Sequence, residues 1–148
     1  MAHRVQNNPS SKLKAYAFRL RPHEDLKKSI QQFAKTNRLK AGAILSAVGS
    51  LEQLKIRFAS QPDGTIKTGF FEIVSLTGTF SEGSCHIHIC ASDANGQTFG
   101  GHLLDENLIY TTAEIVVINL SDLEFSRLTD PTYNYKELVV GRIRKISR

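Results

Sequence analysis

Several residue types are scarce in this chain of 148 residues, and their scarcity limits the kinds of protein that it can be. It has no tryptophan, one methionine, four prolines and only two cysteines, Cys85 and Cys90. On a strand these two positions point to opposite faces, which argues against a disulfide between them. Because disulfides belong mainly to oxidising compartments, we expect the protein to work in a reducing cytoplasm.

Long apolar runs and familiar catalytic motifs are missing as well. No stretch of about 18 apolar residues occurs, so we expect no membrane-spanning helix and no membrane partner. The first residues also lack the apolar core of a signal peptide. The sequence contains no G-x-S-x-G, Walker, G-x-G-x-x-G or C-x-x-C motif, so these motifs indicate no enzyme class.

Acidic residues are the minority charge. Nineteen Lys and Arg residues against fourteen Asp and Glu residues give a formal net charge of +5 and a pI of about 9.4. This balance permits attraction to DNA phosphates, but solvated tails that aid solubility are an equally open interpretation. The candidate phosphate-binding residues lie at the C-terminal end, and they are Arg142, Arg144, Lys145 and Arg148.

The length and the apolar share of 41% predict one globular domain. We expect an α/β fold of the α+β kind, in which one main helix packs on a mostly antiparallel sheet. Residues 1–13 are predicted to be a disordered tail, because they offer little to bury. Residues 14–141 would form the domain, and residues 142–148 a basic tail.

The helix is predicted over residues 22–37, where Leu26, Ile30, Phe33 and Ala34 form one apolar stripe. From residue 41 onward the apolar period changes to two, which indicates strands. After a first strand at 16–20, the predicted strands are 41–49, 51–60, 69–80, 85–92, 98–104, 112–120, 122–128 and 137–143. The strand at 112–120 is apolar on both faces and is therefore expected to be central.

Three of the five histidines lie in one stretch, "CHIHICASDANGQTFGGHL". On a strand, His86 and His88 share a face, with backbones about 6.6 Å apart. The turn sequence "DANGQ" can return His102 beside them, and Gly100 and Gly101 allow close backbone approach. Three imidazoles with an open position form the ligand set of a catalytic divalent-metal site, so we expect a shared ion, zinc first of all.

A structural interpretation of the same histidines stays open, since half-buried strand faces also carry histidines bonded to backbone or water. Cys90 shares their face and is either a further soft ligand or a small buried thiol. Arg21, Arg57 and Arg127 lie near strand ends and either bind an anion or form surface ion pairs. Tyr133 and Tyr135 are expected to anchor the last turn to the core.

Taken in order, the segments "GSLEQLKIRFA", "GFFEIVSLTGTF", "CHIHICASDANGQTFGGHL" and "AEIVVINL" resemble the plants-and-prokaryotes conserved (PPC) domain, also called domain of unknown function 296. The resemblance covers roughly residues 14–141 and implies an α/β fold that assembles as a homotrimer. In plants the domain follows AT-hook motifs in nuclear DNA-binding regulators, where it drives self-association and partner binding. The resemblance therefore implies a DNA-associated regulatory module.

Two sets of site residues follow from this resemblance. His86, His88 and His102 match family histidines that resemble a divalent-metal site. A second segment is similar to the family's Gly-Arg-Phe-Glu-Ile stretch, which plant members use to contact partners, although phenylalanine here replaces the arginine. Its residues are Gly69, Phe70, Phe71, Glu72, Ile73 and Val74.

No Arg-Gly-Arg-Pro hook occurs in the chain, so any DNA binding is expected to be nonspecific and to use phosphate contacts. The alternative function is a metal-dependent enzyme or a small-molecule-binding protein that uses the three histidines. A third candidate is a structural oligomer with neither property. All three functions stay open on the residues alone.

Overall fold

A computed structural model describes residues 9–143 of the chain. Its elements are β1 (Leu13–Leu20), α1 (Leu26–Thr36), β2 (Gly42–Arg57), β3 (Thr65–Phe80), β4 (Cys85–Asp93), β5 (Thr98–Leu103), β6 (Ile109–Leu120), β7 (Leu123–Asp130) and β8 (Tyr135–Arg142). Six strands form one sheet in the order β1-β6-β2-β3-β4-β5, and β7 pairs with β8. All these pairings are antiparallel, so the predicted antiparallel sheet with one helix is confirmed.

The structure corrects the prediction of separate strands at 41–49 and 51–60, because β2 runs unbroken from Gly42 to Arg57. The pairing of β2 with β6 shifts register between Gly49 and Leu51. Gly49 has a φ of 148°, and a β-carbon there would collide with the backbone of Thr112. In the sequence, a glycine at a β-bulge looks the same as a glycine at the end of a strand, which is why the pattern predicts that Gly49 ends one.

The main sheet also closes on itself. Strand β2 pairs with β3 along its length and with β5 at its end, through Ile56 opposite Leu103 and Arg57 opposite His102. Because β4 pairs with both β3 and β5, the four strands form a ring. Strand β6 lies between β1 and β2, which confirms the interior position predicted for residues 112–120.

Helix α1 covers one part of the core and is shorter than the predicted 22–37. Asp25 is its N-cap and accepts a hydrogen bond from the Lys28 backbone N–H at 3.0 Å. Leu26, Ile30 and Ala34 are fully buried, as the apolar stripe predicts. Because Asp25 caps the helix instead of lying within it, α1 begins at Leu26 and not at residue 22.

The two ends of the chain are described only in part. The predicted tail 1–13 falls outside the described residues as far as residue 8, whereas Leu13 already belongs to β1. Arg142 ends β8, while Arg144, Lys145 and Arg148 lie outside the described residues. Within 9–143, no helix is long and apolar enough to cross a bilayer.

Candidate metal centre

The three predicted ligands come together on the outer face of β4 and β5. On β4 the buried side chains of Ile87 and Ile89 alternate with those of His86 and His88, which are exposed. His88 lies directly opposite His102 on β5. The tight turn at 93–97, closed by the Asp93 N–H donating to the Gln97 carbonyl at 2.9 Å, sets this register.

Gly101 explains how β5 reaches β2 beside this centre. A β-carbon at this position would lie 2.7 Å from the carbonyl oxygen of Arg57, closer than such contacts normally come. The absence of a side chain therefore lets β5 pair with the end of β2. This close approach places Arg57 directly opposite His102.

The distances fit a shared ion. One ring nitrogen from each of His86, His88 and His102 can be chosen so that all three lie within 4.8 Å of one another. The Nε2 atoms of His86 and His88 are 3.1 Å apart. Two Zn–N bonds at a tetrahedral angle span about 3.3 Å, so small side-chain rotations bring three nitrogens to one ion.

Burial and positive neighbours keep two of the imidazoles neutral. The pKa of His102 falls to about 4, first because of burial and then because of repulsion from His86, when that is protonated, and from Arg57. Burial also lowers the pKa of His86, with Arg127 and His88 adding to the effect. Neutral imidazoles present the lone pairs that a metal ion needs, so protons compete weakly at neutral pH.

Other donors near the cluster are engaged elsewhere. Asp105 forms an ion pair with Lys27 at 2.9 Å, and Glu106 forms one with Lys55 at 2.8 Å. Cys90 is half-buried and does not belong to the cluster. In the part of the chain that the structure describes, the cluster offers three nitrogens and no protein donor for a fourth position.

A cavity of about 790 Å³ opens beside the cluster. The end of β2 and the turn after it form one wall, and the β7–β8 hairpin forms the other. The lining residues are Arg57, Ser60, Gln61, Pro62, Cys85, His86, His102, Arg127, Tyr135, Lys136 and Glu137.

Sequence reasoning missed the hairpin wall of this cavity. Tyr133 and Tyr135 do not anchor the last turn to the core, because 77% and 66% of their surfaces stay exposed. Tyr135 instead stands at the cavity with Lys136 and Glu137. Only the position of Arg127 near a strand end signalled this wall in the sequence.

The segment at 69–74 lies elsewhere on β3. Phe71 and Ile73 are buried, whereas Phe70 and Val74 are exposed. Phe70 stacks on Tyr110 with ring centroids 4.2 Å apart. The segment pairs with the far end of β4, so the structure does not bring it to the histidines.

Curated proteins with related sequences are much longer than this chain. The chain is 42% identical over 142 residues to the bifunctional protein GlmU of Synechococcus sp. (strain JA-3-3Ab), which covers 96% of the chain and 23% of that protein. It is 25% identical over 130 residues to AT-hook motif nuclear-localized protein 20 of Arabidopsis thaliana, covering 84% of the chain and 46% of that protein. The chain thus spans less than half the length of either relative.

Solved structures share the fold over nearly the whole chain. A hypothetical protein from Salmonella cholerae-suis matches with a TM-score of 0.89 and 34% identity, covering 90% of this chain and 97% of that one. A metal-containing protein from Archaeoglobus fulgidus matches with a TM-score of 0.75 and 26% identity, covering 88% and 96%. The sequence profile of the Plants and Prokaryotes Conserved domain, abbreviated PCC or PPC, matches residues 8–121. The chain therefore belongs to the PPC domain family.

Proposed function

We propose that this chain is a DNA-associated PPC module that self-assembles and holds a divalent cation at His86, His88 and His102. The convergence of three imidazole nitrogens within 4.8 Å carries the metal part of this proposal. The family and its relatives support the DNA-associated part. A metal-dependent enzyme is not favoured, because the plant relative is named for an AT-hook and for no reaction.

Zinc suits the donor set best. Three imidazoles with an open position are typical of Zn²⁺ sites that keep one place for water or a ligand. The lowered pKa values of His86 and His102 keep their nitrogens free of protons at neutral pH. The similar Archaeoglobus fulgidus protein is described as metal-containing, which supports the assignment. When bound, such an ion would act as a Lewis acid towards a ligand oxygen.

Elemental analysis of tag-free protein tests the metal centre. We expect about one zinc per chain in the wild type and a loss of more than tenfold in His88→Ala, since two imidazoles hold zinc poorly. His23→Ala is the matched control, because His23 is exposed and pairs with Glu52 away from the cluster. Equal zinc content in wild type and His88→Ala would contradict the proposal.

DNA association is supported by the charge of +5 and by the plant relative that is named for its AT-hook and nuclear localisation. In the absence of a hook, phosphate contacts supply the affinity. Such contacts weaken at higher salt, because releasing condensed counterions into a saltier solution gains less entropy. We therefore expect weak binding that is insensitive to base sequence and falls steeply with ionic strength.

Fluorescence anisotropy with labelled duplexes of unrelated sequence tests this association. The double variant Arg144→Gln/Lys145→Gln should bind more weakly and show a flatter salt dependence than the wild type. Lys35→Gln/Arg38→Gln is the matched control, because both residues are exposed at the end of α1. If the tail variant binds like the wild type, the tail does not contact DNA.

Self-association as a homotrimer is supported by apolar side chains left uncovered on β2. Leu45 and Val48 expose 62% and 55% of their surface, and we infer that a neighbouring subunit covers them. Light scattering should give a mass near three times 16.5 kDa. Leu45→Glu should lower the mass, whereas Leu128→Glu, at an equally exposed position on β7, should not. A wild-type mass near that of one chain would exclude the trimer.

A further inference from the structure

Two arginines that line the cavity have no acidic partner within the described residues. The Arg57 Nη1 donates to the Gln61 carbonyl at 3.4 Å, and the Arg127 Nη2 donates to the Thr79 hydroxyl at 3.2 Å. Among residues 9–143, neither guanidinium forms an ion pair with a carboxylate. Exposed arginines commonly form surface ion pairs, but within the described residues these two arginines do not.

The strand register aims both arginines at the histidine cluster. Arg57 is the cross-strand neighbour of His102, which is the neighbour of His88, so these three residues share one face across β2, β5 and β4. Arg127 approaches from the other side, because its partner Thr79 lies opposite His86. The electrostatic effects agree, since Arg57 lowers the pKa of His102 and Arg127 lowers that of His86.

The cavity is cationic and large enough for a small molecule. Arg57, Arg127 and Lys136 line it together with a single carboxylate, that of Glu137. One carboxylate cannot neutralise three cationic groups, so the cavity favours anions. Its volume of about 790 Å³ falls in the range of small-molecule sites, roughly 300–1,000 Å³.

We propose that this cavity binds a small molecule bearing a carboxylate or phosphate group, whose oxygens contact the guanidiniums of Arg57 and Arg127. A planar guanidinium offers paired N–H donors that match the oxygens of either anion. His86 and His102 line the same cavity, so a ligand held there would also lie beside an ion bound by the three histidines. This last contact rests on the proposed metal centre, whereas the arginine contacts do not.

Part of this cavity is formed by residues that lie beyond the segment matched by the family profile. The family profile ends at residue 121, whereas Arg127, Lys136 and Glu137 belong to β7 and β8 beyond it. One wall of the cavity therefore comes from the matched domain and the other from the segment after it. Ligand choice is then set by the hairpin residues together with Arg57.

Isothermal titration calorimetry with inorganic phosphate and with succinate tests the site and separates the two anion types. Zinc-loaded and chelator-treated wild-type protein are each titrated and assayed for metal content. We expect at least one probe to bind the zinc-loaded protein, and Arg57→Gln and Arg127→Gln each to weaken it at least about tenfold with zinc content unchanged. Arg57→Lys should also weaken it, because lysine keeps the charge but loses the paired donors.

Arg19→Gln is the matched control, because Arg19 is exposed and bonds Thr112 at 2.9 Å outside the cavity. If zinc is retained and neither probe binds, or if both cavity variants bind like the wild type, the anion site is wrong and the metal centre stands. If no zinc binds but the variants still weaken the probe, the anion site stands and the metal centre is wrong. A short DNA duplex is then added as a competitor. If it displaces the probe, and if both variants bind the duplex more weakly by the same factor, the anion that the cavity binds is a DNA phosphate and not a small molecule.

Discussion

On β4, one face packs into the core and the other carries two of the candidate ligands. Ile87 and Ile89 expose 1% and 2% of their surface, whereas His86 and His88, which alternate with them, are exposed. Burial of the aliphatic face supplies folding free energy, of order 1.5–3 kcal/mol for each such side chain. The histidine face contributes little to this burial. Alternate residues of β4 therefore serve different purposes, one set stabilising the fold and the other forming the candidate metal site.

The largest expected effect lies on the core face. Ile89→Ala should lower the free energy of unfolding by about 2–5 kcal/mol, because it removes buried methyl groups and leaves a cavity. Urea denaturation followed by circular dichroism measures the change. A loss below about 1 kcal/mol would mean that this face is not a packed core.

The next largest effect concerns the junction where β5 approaches β2. Gly101→Ala should cost about 1–3 kcal/mol, because the new β-carbon would press against the Arg57 carbonyl. The same change should weaken zinc binding, since it displaces His102 from the cluster. Gly83→Ala is the control, because a β-carbon there meets no atom within 4 Å. Equal stability of the two variants in urea would contradict this explanation of Gly101.

A smaller effect depends on pH and is measured on chelator-treated protein. His102 has a pKa of about 4 in the folded chain against an ordinary 6.5, so the unfolded chain binds more protons between these values. The contribution of His102 to the free energy of unfolding should therefore be fully present above about pH 6.5 and should be lost as the pH drops towards 4. Urea midpoints at several pH values should show a shallower fall in His102→Gln. Parallel curves would show that His102 titrates normally.

The smallest expected change in stability lies on the histidine face itself. Without metal, His88→Ala should alter the free energy of unfolding by no more than about 0.5 kcal/mol, since the side chain is exposed. With zinc present, the wild type should gain thermal stability that the variant lacks, because a ligand that binds only the folded state stabilises it. Differential scanning fluorimetry with and without zinc compares the two. A destabilised metal-free variant would assign His88 a packing role.

Local sequence patterns anticipated much of the candidate site. The alternation on β4 predicted that His86 and His88 share a face, and the turn at 93–97 predicted the return of His102. These features depend on residues close together in the chain, where strand period and turn chemistry decide the geometry. The glycine at 49 misled the strand assignment, because a bulge and a strand end have the same local signal.

The sequence by itself determined the helix stripe, the alternating strands and the hairpin that carries the histidines, because these follow from periods of a few residues. Only the tertiary structure decided that β5 pairs with the end of β2 and that the β7–β8 hairpin walls the cavity. Arg57 and Arg127 are distant in the chain, and their convergence depends on sheet closure and packing. Residue-by-residue patterns do not encode such long-range contacts, which form when the whole core is buried.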